Sequence, residues 1–97
     1  MILIKVSEVP TTREGLKERT SRAWRINPSR LYNQDTVISV YRGEILEVYK
    51  ILGYEADKIS EGRVEFKLEE IESDLKGKTI ITKTSNPCTI VDTLVFK

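Results

Sequence analysis

Apolar residues fall along the chain in short bursts separated by turn formers, and two rhythms are visible among them. The first burst, Ile2, Leu3, Ile4 and Val6 around a single lysine, is too short for a helix and predicts a buried strand over Met1 to Val6. Pro10 breaks this run. Thr11-Thr12-Arg13-Glu14 then has the form of a capping box, with Thr11 as N-cap and Glu14 three residues on, and predicts a short helix to Thr20. Gly15 costs that helix roughly 1 kcal/mol against alanine. Its apolar content before Trp24 is only Leu16 and Ala23, so a thin helix lying on the surface is expected. Asn27-Pro28-Ser29 is a turn signal, because Pro28 fixes its own φ and biases Asn27 away from the helical region.

The strongest pattern spans Thr36 to Leu52. Thr-Val-Ile-Ser-Val-Tyr-Arg, a Gly43-Glu44 turn, and Ile-Leu-Glu-Val-Tyr-Lys-Ile-Leu together predict a β-hairpin rich in β-branched and aromatic residues. Val37 beside Ile38 and Ile45 beside Leu46 make both faces of the hairpin apolar, so both are expected to be covered. Glu44 and Glu47, at odd and even offsets, are expected on opposite faces and so do not form an acid–base pair. Val64, Phe66 and Leu68 alternate with Glu65 and Lys67, a strand with one wet face. Glu69 to Leu75 suggests one helical turn, and Thr79 to Thr82 a short strand. Ser85-Asn86-Pro87 marks a turn before a last strand from Thr89 to Phe96. The order describes a single α+β domain over residues 1 to 97, mostly β, with one or two short helices and a small, partly closed barrel.

A chain of 97 residues holds one core, and 39% apolar with 32% charged residues is a folding composition, not a disordered one. The apolar runs are too short for a signal segment or a membrane span, which points to a cytoplasmic protein with no membrane partner. One cysteine, Cys88, excludes an intrachain disulfide, and the absence of histidine removes the commonest zinc ligand and general base. Neither a catalytic set, a metal site nor a cofactor motif is present in the pattern, and a buried structural thiol is the expected role of Cys88. Sixteen basic residues nearly cancel fifteen acidic ones, unlike a domain that holds duplex DNA by its phosphates. Charge is segregated, however. Residues 11–30 carry six basic against two acidic side chains and residues 55–74 carry three against eight, which predicts a positive and a negative end.

Three stretches carry a resemblance: Thr20-Ser21-Arg22-Ala23-Trp24-Arg25-Ile26, the Val37 to Ile51 run with Tyr41-Arg42-Gly43 and Glu47-Val48-Tyr49, and Gly77-Lys78 followed by Ser85-Asn86-Pro87. Together they resemble small PUA-like β-barrel modules, found alone or fused to nuclease and other defence-related domains. The resemblance implies kinship with the wider PUA and ASCH group, whose members bind nucleic acid or nucleotide-like ligands, often with a base against aromatic residues.

Candidate site residues gather just before the hairpin. Trp24, the only tryptophan, lies between Arg22 and Arg25, where an indole can stack a base while guanidinium groups meet phosphate. Equally, it can cover one mouth of the core. Arg22, Arg25 and Arg30, with Arg13 and Arg19, suit an anion-binding rim; alternatively they form a solvated face. Ion pairs to Glu14 and Glu18 on that face would account for Arg13 and Lys17 better than for Arg22, Arg25 and Arg30. Tyr32 and Asn33 offer an aromatic and an amide to a base edge or belong to a plain loop, and Asn86 presents an amide or simply makes its turn. The function expected is a non-catalytic binding module for a nucleotide-type ligand. That ligand is either a free nucleotide signal, sequestered as a phage-type inhibitor of host defence would do, or a flipped base. An RNA- or DNA-binding accessory domain is the alternative. A protein-interaction module, for instance a homodimer using the two charged ends, is the third.

Overall fold

The computed structural model describes residues 1–22, 24–82 and 86–97. Ala23 of the tryptophan motif and Ser85 of the expected turn lie outside them. Seven strands and one α-helix follow in the order β1 (Ile2–Lys5), α1 (Arg13–Ser21), β2 (Thr36–Tyr41), β3 (Glu44–Ala56), β4 (Val64–Glu70), β5 (Ile80–Ile81), β6 (Cys88–Ile90) and β7 (Val95–Phe96), with a 3-10 turn at Pro28–Leu31 before β2. Five strands form a sheet in the order β4-β3-β2-β1-β6, and β5 pairs with β7 in a second, two-stranded sheet. The domain is thus mostly β with one helix, and its described strands form no closed ring. Only β1 and β2 run parallel, and α1 lies in the crossover that a parallel pair requires.

The β2–β3 hairpin forms as its pattern predicts, but its turn is Arg42-Gly43, both residues at positive φ (48° and 85°). That is the mirror-image turn whose twist suits a two-residue hairpin. A Cβ on Gly43 would also sit 3.1 Å from the Ile80 carbonyl oxygen, so glycine is required twice over. Both hairpin faces are covered. Ile38, Val40, Ile45 and Val48 meet Leu3 and Ile80 on one side, and Val37 and Tyr49 meet Ile2, Ile4, Phe66 and Leu68 on the other. Full burial of each such aliphatic chain contributes about 1.5–3 kcal/mol, which makes these two clusters the main source of stability.

Several expectations are corrected. Thr12, not Thr11, caps α1, its hydroxyl accepting from the Gly15 amide at 2.9 Å, so the capping box does not form. As expected, α1 lies on the surface with most of its residues exposed, and it is anchored by buried Thr20 and Ser21 and by Leu16 packed against the core. The stretch from Glu69 forms no helical turn. β4 runs on to Glu70, the Ile71 amide still bonds the Val48 carbonyl at 3.1 Å, and a Ser73 hydroxyl then turns the chain by accepting from the Leu75 amide. The last strand is broken in two by a bend at Asp92 and Thr93 that carries the chain from one sheet to the other. In β3 a bulge between the Ser39↔Glu47 and Val40↔Ile45 pairs adds one residue, so Glu44 and Glu47 share a face instead of opposing.

The two charged segments are not separate ends. α1 lies against β4, and Arg13 pairs with Glu70 at 3.0 Å while Arg22 pairs with Asp57 at 3.1 Å. Two ion pairs thus join the basic and acidic stretches across that contact.

Candidate functional site

A cleft of about 1020 Å³ lies between the end of β1, α1 and the tryptophan segment. Val6, Val9, Pro10 and Pro87 give it apolar walls with Trp24, and Lys5, Glu8, Glu18, Arg19 and Arg22 give it charge. Pro87 is drawn in because its carbonyl accepts from the Lys5 amide at 2.8 Å as β6 joins β1. Gly15 permits close approach on the helix side, where a Cβ would lie 2.9 Å from the Thr12 hydroxyl oxygen and 3.1 Å from Pro10 Cβ.

Trp24 is held from three directions. Its backbone exchanges hydrogen bonds with Val64 at 3.1 and 2.9 Å, which adds a single bridge to the free edge of β4. Its indole Nε1 donates to the Thr20 carbonyl at 2.7 Å, one of the acceptors left over at the end of α1. Trp24 packs on the core, as Leu16 and Ile26 do, and also lines the cleft, so it is both core cover and cavity wall. With its only polar atom satisfied, what it offers the cleft is a π-surface.

Arg22 reaches the cleft from the extended residue that ends α1. It is already engaged: Nε donates to Asp57 Oδ2 at 3.2 Å and Nη2 to Oδ1 at 3.1 Å, a bidentate pair, with Glu18 at 3.9 Å. The Asp57 side chain has no exposed surface, and its Oδ1 also accepts from the Ile59 and Ser60 amides, both at 2.9 Å. The Arg22 hydrogen bonds first, and those amides second, hold the Asp57 carboxyl well below the usual carboxylate range despite burial. Asp57 in turn raises the Arg22 guanidinium. This pair ties the end of α1 to the β3–β4 connection and sets where the chain enters the tryptophan segment.

The other expected site residues are dispersed. Arg19 faces the cleft, bonding the Ser7 hydroxyl at 3.1 Å and Glu8 at 3.4 Å, whereas Arg13 borders a separate recess with Glu14, Lys17, Glu69 and Glu70. Arg25 and Arg30 are exposed and make no ion pair among the described residues. Arg30 acts on Cys88, the neighbour of Pro87, but burial dominates and pushes that thiol up to about 11. Tyr32 is 81% exposed and Asn33 holds a left-handed φ of 66°, both on the loop into β2 and outside the cleft lining. Asn86 is exposed next to Pro87 and has a polar contact within the protein. The cleft therefore unites Trp24, Arg22 and Arg19, while Arg25, Arg30, Tyr32, Asn33 and Asn86 do not line it.

Sequence reasoning missed the wall formed by residues 5–11 and the role of Asp57. The only local hint was Val9-Pro10, a chain break directly after a strand. Among the described residues no His, Cys, Asp or Glu grouping is placed to hold a metal ion, and no helix is long and apolar enough to cross a membrane. Comparison with protein-family models, curated proteins and solved structures gives no match.

Proposed function

We propose that the protein is a non-catalytic binding module whose Trp24 cleft holds the ring of a nucleotide-type ligand. The observation that carries this reading is a tryptophan pinned at its indole N–H and at its backbone that lines a cleft of about 1020 Å³. A flat heterocycle stacked there gains about 1–3 kcal/mol. Val6, Pro10 and Pro87 would enclose its edges. The PUA-like resemblance points the same way.

Trp24 is its own reporter, being the single tryptophan. Titration with nucleosides and nucleotides should change its fluorescence saturably, and Trp24→Ala should weaken calorimetric binding by about tenfold or more, the loss of one stack. Neither heat nor a fluorescence change with any such compound would sink the reading. Exposed, unpaired Arg25 and Arg30 favour a second reading, in which single-stranded nucleic acid places one base in the cleft. Affinity falling steeply with salt would select it.

A further inference from the structure

We infer that the part of the ligand inside the cleft is uncharged, a nucleobase or nucleoside, and that the cleft itself rejects phosphate. This rests on the binding reading above and follows from how the charges lining the cavity are already spent. Lys5, Arg19 and Arg22 supply three positive charges; Glu8 and Glu18, with Asp57 behind Arg22, supply three negative ones.

The pairing is as important as the sum. The guanidinium of Arg22 is committed in bidentate form to a carboxylate with no exposed surface, so a phosphate would have to strip Asp57 of its partner. Arg19 is shared between Glu8 and the Ser7 hydroxyl. The acids, by contrast, stand forward: Glu8 and Glu18 side chains are each 72% exposed. An anion entering past them meets like charge, no unengaged guanidinium among the cleft residues, and a Lys5 that already has a contact within the protein. A neutral heterocycle meets the π-surface of Trp24 and two carboxylates that accept hydrogen bonds from ring or exocyclic N–H groups. The same rim that opposes a phosphate thus suits the edge of a base.

The test uses the fluorescence of Trp24 in the full chain with guanosine, adenosine and their 5′-triphosphates. For the preferred base, nucleoside and triphosphate should bind within about threefold of each other, with little change between about 50 and 500 mM salt. Glu8→Gln releases Arg19 and should tighten the triphosphate by about fivefold relative to the nucleoside. A wild-type triphosphate bound about tenfold more tightly than its nucleoside, with a steep salt dependence, would overturn the inference while leaving the Trp24 site standing. An unchanged ratio in Glu8→Gln would also overturn it. Silence of Trp24 with all four compounds would overturn the binding reading and this inference together.

Discussion

Successive residues of β2 look into two different interiors. Ile38 and Val40 point to the side closed by Ile80 of β5, where every fully enclosed core member is aliphatic. Val37, Ser39 and Tyr41 point to the side covered by α1, where Ser39, Thr20 and Glu47 are buried among the apolar chains and Tyr49 buries a hydroxyl. On the α1 side the Thr20 hydroxyl donates to the Leu16 carbonyl at 2.7 Å and lies 3.1 Å from that of Ser39, and Lys76 reaches Glu47 at 2.6 Å. Aliphatic contacts are non-directional and tolerate small shifts, whereas these polar contacts have one good geometry. Both faces therefore supply stability through their apolar chains, and the second alone adds contacts that fix position. It is on the positioned face that Trp24 and its cleft are found.

The sharpest way to break this comparison is to truncate adjacent residues of β2 to alanine. Ile38→Ala leaves a cavity in a dry cluster and should cost about 2–5 kcal/mol in urea denaturation. Ser39→Ala removes one hydroxyl contact and should cost about 1 kcal/mol or less. Equal losses would mean that the two interiors are not different in kind.

Asp57→Asn probes the positioned face through pH. Because the folded state holds this carboxyl below its unfolded value, its contribution is complete at neutral pH and is lost as pH falls through the unfolded value near ~4 toward the folded one. Wild type should therefore unfold at higher denaturant than Asp57→Asn at pH 7, and the difference should shrink steadily below about pH 4. The variant should also move the Trp24 emission, since Arg22 would lose the anchor that fixes the end of α1. A pH-independent gap would assign Asp57 to packing alone.

The elements legible from sequence are those whose cause is local. The apolar pairs at Val37-Ile38 and Ile45-Leu46 announced a two-faced hairpin, and the alternation Val64-Phe66-Leu68 announced β4, because side-chain period and burial are the same statement in a strand. Thr11 and Thr12 are chemically equivalent caps, and only the position of the first helical turn chooses between them. The bulge at Leu46 inverts the face of Glu44 relative to Glu47 with no residue that marks it. Asp57 lies 35 residues from Arg22, so reading neighbours left Arg22 free when the fold had already paired it. Trp24 was legible as a candidate, but its cleft was not, since its walls come from β1, α1 and the segment before β6.

The smallest expected effect comes from Tyr49→Phe, and its sign is what discriminates. The Tyr49 hydroxyl is fully enclosed on the α1 side, close to the Thr20 side chain but without a hydrogen bond of good geometry among the described residues. An unpaired buried polar group is a cost, so replacing it with hydrogen should leave stability unchanged or raise it by up to about 1 kcal/mol, opposite in sign to Ile38→Ala. Burial, and then the carboxylates of Glu47 and Glu70, push this phenol well above its ordinary range. Its folded proton affinity thus exceeds the unfolded one, and the stability this provides is complete below the unfolded value and lost as pH rises past about 10. Wild type should weaken on the alkaline side where Tyr49→Phe does not, read from urea midpoints taken from neutral to alkaline pH. Destabilisation by the phenylalanine at neutral pH would instead show that the hydroxyl has a partner and that this face is fully satisfied.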